Sequence, residues 1–238
     1  MKVVRVVLIV LFIGVAAAAF CQTSYVSDDF SSPMLKDWMK VSGSWRVLEG
    51  RLYQTDRDEK MAMITIPVSQ SGKVLYEFNV RYVGGGEDNY AGFGIHICVD
   101  NPATKRSWGN GQSILGWVTW DPDVYGYPGA FIQVYESRGS TDMGLWTKVF
   151  PGSDPVRYGG LIPIRADYLK TEYLDATVPI KIMLDTRTGE GRFYDPMDPN
   201  RYYYGFNLGT AVGSGSYFSI RMNSVAMSID NVKVSKVY

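Results

Sequence analysis

Lys73-Val74-Leu75-Tyr76-Glu77-Phe78-Asn79-Val80-Arg81-Tyr82-Val83 alternates along its whole length. Val74, Tyr76, Phe78, Val80 and Tyr82 fall on one side, and Leu75, Glu77, Asn79 and Arg81 on the other. A period of two is the side-chain period of a strand, so one face should be core and the other wet. Ala91 to Val99 repeats the pattern, with Phe93, Ile95, Ile97 and Val99 opposite Gly94, His96 and Cys98. Further strands are predicted at 44–48, 51–55, 61–66, 113–120, 130–136, 145–149, 178–185, 190–194, 216–222 and 226–235.

The links between these runs are turn chemistry: Glu49-Gly50, Ser71-Gly72, Gly84-Gly85-Gly86, Gly109-Asn110-Gly111, Gly189-Glu190-Gly191 and Gly213-Ser214-Gly215. The triple glycine reads as a hairpin turn, because it lacks the Lys-Ser/Thr and the helix that a phosphate cradle needs. Asp-Pro steps at Asp121, Asp154, Asp195 and Asp198 mark loops. One short helix is predicted, from about Arg165 to Leu174, inside a connection from Pro151 to Thr177 long enough to suggest function or mobility. Many short strands with almost no helix imply an all-β chain of two packed antiparallel sheets.

Residues 1–21 have the order of a secretory signal: Lys2 and Arg5, an apolar run, then Ala16 to Ala19. Cleavage is predicted after Ala19 or after Cys21, and export would place the protein in the periplasm or outside the cell. The apolar stretch from Val6 to Cys21 is shorter than the roughly 20 residues a spanning helix needs, so no transmembrane segment is expected once the signal is gone. Residues 22–238 then form a single sandwich domain. Without Lys2 and Arg5, the 24 basic residues fall to 22 against 24 acidic ones. No basic stripe is present, which argues against nucleic acid as a partner. Cys98 reads as a buried unpaired thiol, since the other of the two cysteines lies in or beside the signal.

Asp28-Asp29-Phe30, Trp38, Gly43-Ser44-Trp45, Glu49-Gly50-Arg51-Leu52 and Gln54, with the closing Ile229-Asp230-Asn231-Val232-Lys233-Val234, resemble the concanavalin A-like lectin and glucanase superfamily in its laminin-G-like branches. The resemblance implies a jelly-roll sandwich in which the first and last strands pair, with one concave sheet across which ligands commonly lie. Such a fold does not by itself name a function.

Three functions follow as expectations. The first is a non-catalytic glycan binder using Glu77, Asn79 and Arg81, with His96, Gln133 and Tyr135 added by neighbouring strands. Amide, carboxylate and guanidinium groups suit sugar hydroxyls, and a ring covers the apolar face of a pyranose. The simpler reading of the same residues is the wet side of a sheet. The second is a structural subunit of a cell-envelope coat, periplasmic assembly or filament sheath, contacting envelope proteins through Tyr202, Tyr203 and Tyr204. Aromatic residues are 14% of the chain, and three consecutive tyrosines cannot all face inward from a strand.

The third is an atypical glycoside hydrolase using Glu77 and a loop carboxylate, although the Glu-x-Asp-x-x-Glu strand of the glucanase branch is missing. No catalytic residue is assigned: Glu87-Asp88, Glu136 with Asp142, and Glu172 with Asp175 read as solvated loop groups. His96 is the only histidine and shares a predicted strand face with Cys98, but two ligands do not make a metal site. No cofactor is expected. Asp28, Asp29 and Asp230 leave structural calcium open, with edge-strand charge as the simpler account.

Overall fold

The structure is a computed structural model that describes residues 22–86, 88, 91–121, 129–146, 162–164, 177–196, 198–213 and 215–238. The chain folds as two eight-stranded antiparallel sheets packed face to face. Sheet A runs β14 (Asp198–Asn207), β13 (Glu190–Asp195), β12 (Val178–Asp185), β6 (Lys73–Gly85), β16 (Val225–Val237), β4 (Arg51–Gln54) and β3 (Trp45–Leu48), with β1 (Gln22–Asp28) also on β16. Sheet B runs β10 (Met143–Trp146), β9 (Gly129–Arg138), β8 (Gln112–Asp121), β7 (Gly92–Val99), β15 (Tyr217–Asn223), β5 (Ala62–Pro67) and β2 (Met39–Ser42), with β11 (Ile162–Ile164) also on β9. This is the all-β jelly-roll sandwich expected from the alternation and from the resemblance.

Alternation places the core directly. Val74, Tyr76, Phe78 and Val80 of β6 face sheet B and are buried, while Glu77, Asn79 and Arg81 between them are half-buried on the outside. From sheet B, Phe93, Ile95 and Ile97 of β7 and Phe218, Ile220 and Met222 of β15 answer them. The Tyr76 and Phe218 rings stack across the gap with centroids 5.7 Å apart.

The chain ends meet as the resemblance implies, with Gln22 opposite Val237 and Asp28 opposite Val232. β16 is flanked by β6 along one edge, and by β4 at Met227–Ile229 and then β1 along the other. A bulge between Asp230 and Lys233, with Asn231 at φ 52°, separates the β4 part from the β1 part. Glu49 (φ 49°) and Gly50 (φ 70°) form the tight β3–β4 turn, whose two positive φ values match the twist of the flanking strands.

Three expected features take a different form. Gly84-Gly85-Gly86 ends β6 and leads to β7 in the other sheet, so it is a crossover and not a hairpin turn. β14 occupies a stretch read as Asp-Pro loop: Pro199 lies on the edge strand of sheet A, where its missing N–H forfeits no ladder bond. β1, β2 and β11 were also absent from the predicted strands; all three run along sheet edges or share an edge with another strand. The helix predicted at 165–174 lies outside the described residues.

Cys98 does not share a face with His96. A register shift against β15 coincides with φ 56° at Cys98, and the thiol turns into the core while His96 stays outside. Burial pushes that thiol up to about 11. Beside it, Gln70 ties the sheets together. Its Oε1 accepts from the Tyr76 hydroxyl of β6 at 2.6 Å and from the Cys98 N–H of β7 at 3.1 Å, and its Nε2 donates to the Tyr217 carbonyl of β15 at 2.7 Å. Gln70→Leu strands these buried groups and should cost about 3 kcal/mol, since each orphaned group costs roughly 1–3 kcal/mol. Urea unfolding should show the midpoint fall, and adding Tyr76→Phe to Gln70→Leu should recover part of the loss by removing one orphan. An unchanged midpoint in Gln70→Leu would refute the role given to Gln70.

Candidate functional site

The outer face of sheet B is assembled by the same alternation that builds the core. On β15, Ser219, Arg221 and Asn223 point away from the inward residues; on β7, Gly94 and His96 do so, on β8 Leu115 and Trp117, and on β9 Gln133 and Tyr135. Register aligns them in two rows. Thr65, Ser219, His96, Leu115 and Tyr135 make one, and Met63, Arg221, Gly94, Trp117 and Gln133 the next. Gly94 lets the Trp117 ring lie over its strand, since a methyl group there would stand 2.8 Å from the ring.

An outer sheet face is ordinarily wet. Here His96 is 0% and Arg221 1% exposed, while Gln133 and Tyr135 remain half-buried, so the face opens on the β9 side. The β7–β8 connection supplies part of the cover. Asn110 Nδ2 donates to Ser219 Oγ at 2.8 Å, the Asn110 N–H donates to Ser137 Oγ at 2.9 Å, and Ser219 Oγ bonds Thr65 Oγ1 at 2.7 Å. Ser107 Oγ and the Gly109 N–H both donate to the Ser140 carbonyl at 2.7 Å. Between these anchors, the Trp108 carbonyl accepts from Arg221 Nη1, and the Trp108 ring lies 5.1 Å from the guanidinium.

The hydrogen bonds determine the His96 tautomer. Ser113 Oγ is 2.9 Å from both His96 Nδ1 and the Asn110 carbonyl oxygen. A carbonyl can only accept, so the hydroxyl proton goes to Asn110 and Nδ1 carries the imidazole hydrogen. His96 Nε2 is then a bare acceptor, and among the described residues it has no partner. Arg221 donates from Nε to Asn223 Oδ1 at 3.1 Å and from Nη1 to Trp108, while its buried Nη2 has no partner among the described residues. Burial, reinforced by the Arg221 charge, holds the imidazole well below its ordinary range. Burial lowers the Arg221 guanidinium to about 10, and burial raises the Tyr135 phenol, with Arg221 opposing the rise.

The six residues expected to bind ligand divide between opposite faces of the sandwich. His96, Gln133 and Tyr135 share the outer face of sheet B, whereas Glu77, Asn79 and Arg81 lie on the outer face of sheet A and cannot join them. Lys181 and Lys233 stand opposite Glu77 in the ladders, and no carboxylate occupies that row beside it on β12 or β16. Of the three tyrosines expected at a partner surface, Tyr202 is 48% exposed and lies under the Arg192 guanidinium at 4.9 Å. Tyr204 requires correction: it is fully buried in the core beside Phe193 and Phe206, so it offers nothing to a partner. The side chain of Tyr203, and Glu87, Glu172 and Asp175, lie outside the described residues.

The remaining acidic groups have local employment. Glu136 and Asp142 share Arg138 at 2.6 and 3.6 Å, and Asp88 accepts from Ser224 Oγ at 2.8 Å. Asp28 accepts from the Trp38 indole at 2.9 Å and Asp230 from Arg51 at 3.2 Å, while Asp29 caps the Ser31 N–H at 3.0 Å. Among the described residues no group of three or more His, Cys, Asp or Glu side chains is placed to share a metal ion. A separate cleft of about 360 Å³ at one end of the sandwich is lined by Trp146, Val212, Leu208, Asp100, Glu136 and Arg138, among others.

Sequence reading missed Arg221, Trp108 and Asn110. For Arg221 a signal existed in the alternation Phe218-Ser219-Ile220-Arg221-Met222-Asn223, which puts a cation on the polar side of a strand. For Trp108 and Asn110 none did, because only the fold returns that loop across the sheet.

No protein-family model matches the chain, and no curated protein matches it in sequence. Solved structures match it in fold. The chain is similar to the carbohydrate recognition domain of Emp46p in its metal-free form, with TM-score 0.59 and 11% identity over 89% of this chain and 94% of that one. It is similar to a protein of unknown function with a galectin-like fold from Bacillus subtilis, with TM-score 0.57 and 12% identity over 92% and 98%. It is also similar to the carbohydrate binding module CBM66 from Bacillus subtilis, with TM-score 0.52 and 11% identity over 84% and 96%. What these proteins share with the chain is a fold, the lectin-like two-sheet sandwich.

The imidazole yields a test of the site's burial. Its folded value lies below the ordinary 6.5, so the native state declines a proton that the unfolded chain accepts. The resulting stability is fully present above pH 6.5 and is lost as pH falls below it, by up to about 1.4 kcal/mol per pH unit until the folded value is reached. Denaturant unfolding between pH 7 and about 5 should show this slope, and because His96 is the only histidine, His96→Gln should flatten it. A slope that survives the substitution would place the titration elsewhere.

Proposed function

We propose that the protein is an exported, non-catalytic β-sandwich that binds glycan on the outer face of sheet B. The observation that carries this reading is the mixture on one sheet face: the rings of Trp108, Trp117 and Tyr135 interleave with the polar heads of Gln133, His96 and Arg221. Sugars need both kinds of group, rings for their apolar C–H faces and fixed planar donors and acceptors for their hydroxyls. The likeness in fold to a carbohydrate recognition domain and a carbohydrate binding module supports the same reading. The charged, apolar and small-residue order of residues 1–21 supports export.

A glycan array followed by calorimetry on residues 22–238 tests the proposal. Gln133→Ala and Trp117→Ala should each weaken binding about tenfold or more, the scale of one lost buried hydrogen bond or ring contact. Glu77→Ala, on the opposite sheet, should leave binding unchanged. Loss in Glu77→Ala with retention in Gln133→Ala would move the site to sheet A.

A structural role in a cell-envelope assembly is favoured by one separate observation. On the outer face of sheet A, Lys181 lies 4.6 Å from the Tyr194 ring and Arg192 4.9 Å from that of Tyr202, so cations and rings are presented together beside an edge strand. Such a surface suits a protein partner. Native mass spectrometry of envelope extracts should then recover the chain in a stoichiometric complex that Tyr202→Ala disrupts, and recovery as a monomer would reject this role.

A further inference from the structure

Among the described residues Arg221 is the most buried arginine, at 1% exposure, and no carboxylate there pairs with it. Arg51, Arg106, Arg138, Arg187 and Arg192, all more exposed, each have an acidic partner within 3.2 Å. What Arg221 does touch is neutral: the Asn223 amide oxygen, the Trp108 carbonyl and the Trp108 ring. A buried cation without a counter-charge is costly, and a planar guanidinium with one free Nη is shaped for a carboxylate oxygen. Nearby on the same face, His96 Nε2 presents a lone pair that needs a donor, since Nδ1 holds the imidazole hydrogen. His96 and Arg221 project from neighbouring strands, opposite Ser219 and Gly94 respectively, in adjacent rows.

We infer that this face takes an acidic sugar, with the sugar carboxylate on Arg221 Nη2 and a hydroxyl near that carboxylate donating to His96 Nε2. The inference rests on the glycan reading above and adds the charge class of the ligand. A carboxylate answers the unpaired cation and the free donor together. It cannot answer His96, whose bare nitrogen repels an anion and accepts only from an O–H or N–H. A sugar carrying an acid and hydroxyls on one ring satisfies both, and uronic and sialic acids have that chemistry. The half-buried Gln133 and Tyr135 mark the side from which the ring would enter; Trp117 stands between Gln133 and Arg221 in their row, and Leu115 between Tyr135 and His96 in the other.

The test compares sugars that differ only in charge, on the unaltered residues 22–238. Oligogalacturonate is titrated against the same oligomer fully methyl-esterified, and sialyllactose against its own methyl ester, by calorimetry. At least one free acid should bind about tenfold or more tighter than its neutral counterpart, the scale of a charge-assisted hydrogen bond. Tight binding in the first pair assigns a uronic acid, and in the second a sialic acid. Arg221→Met should bring the acid down to the neutral level, and His96→Phe should weaken the acid further without restoring the ester. If Arg221→Met does not fold, the acid-to-ester comparison on the unaltered chain still decides. Equal binding of acid and ester, or a preference for neutral sugars on the array, overturns the acidic assignment and leaves the glycan reading standing. No binding to any sugar overturns both.

Discussion

One strand holds the sandwich closed. β16 runs Val225–Val237 and bonds to β6 along one edge, while its other edge is divided between β4 and β1. The division needs the bulge after Asp230, where Asn231 adopts φ 52° so that Val232 still packs into the core at 1% exposure. A strand of this length with both edges used joins the two ends of the chain and fixes the register of the centre of sheet A. Register in turn fixes which side chains face outward, because a slip of one residue would reverse every one of them. The second tie is Gln70, which bonds β6 of one sheet to β7 and β15 of the other through a single amide. The positions of His96 and Arg221 follow from these two constraints, since both stand on strands that Gln70 helps to align.

The alternating runs were legible because their signal is local. Lys73 to Val83 needs no knowledge of neighbours to reveal its two faces, and the Glu49-Gly50 turn needs only its own two residues. The pairing of the ends was legible through resemblance, which carries topology that periodicity cannot. What was hidden depends on partners distant in sequence. Sheet membership is the chief example: Glu77 and His96 sit on strands adjacent in sequence, yet β6, which ends in Gly84-Gly85, belongs to sheet A and β7 to sheet B, so the two residues lie on opposite outer faces. Gly84-Gly85-Gly86 is compatible with either a hairpin or a crossover, and only packing decides. Cys98 was misplaced for a related reason, because a bulge is a mismatch between two strands and cannot be read from one.

The two outer faces surround their charges differently. On sheet A, Arg51 meets Asp230 at 3.2 Å, Arg192 meets Glu190 at 2.7 Å, and Lys181 and Arg192 lie against tyrosine rings, so these cations have an anion or a ring beside them, although the buried Nε atoms of Arg81 and Arg192 are left without a partner among the described residues. On sheet B, loop residues from Ser107 to Asn110 are bonded down across the strands, and the polar groups beneath them lose water. Ser219, Thr65, Ser113 and Asn110 recover it through mutual hydrogen bonds.

His96 Nε2 and Arg221 Nη2 do not recover it. A fold selected for stability alone would replace such a pair with apolar side chains of similar volume, which costs less than burying an imidazole and a guanidinium incompletely bonded. Packing cannot be the reason for them, since the same face already holds Leu115 and Met63 at comparable burial. Neither residue props up the other, because a neutral acceptor and a cationic donor left unbonded each pay their own desolvation cost. Their presence makes physical sense if the missing bonds are completed from outside the chain, by a group that donates to one and accepts from the other. Hydroxyl-bearing molecules do both, and the three rings around the pair give such a molecule a surface to lie on.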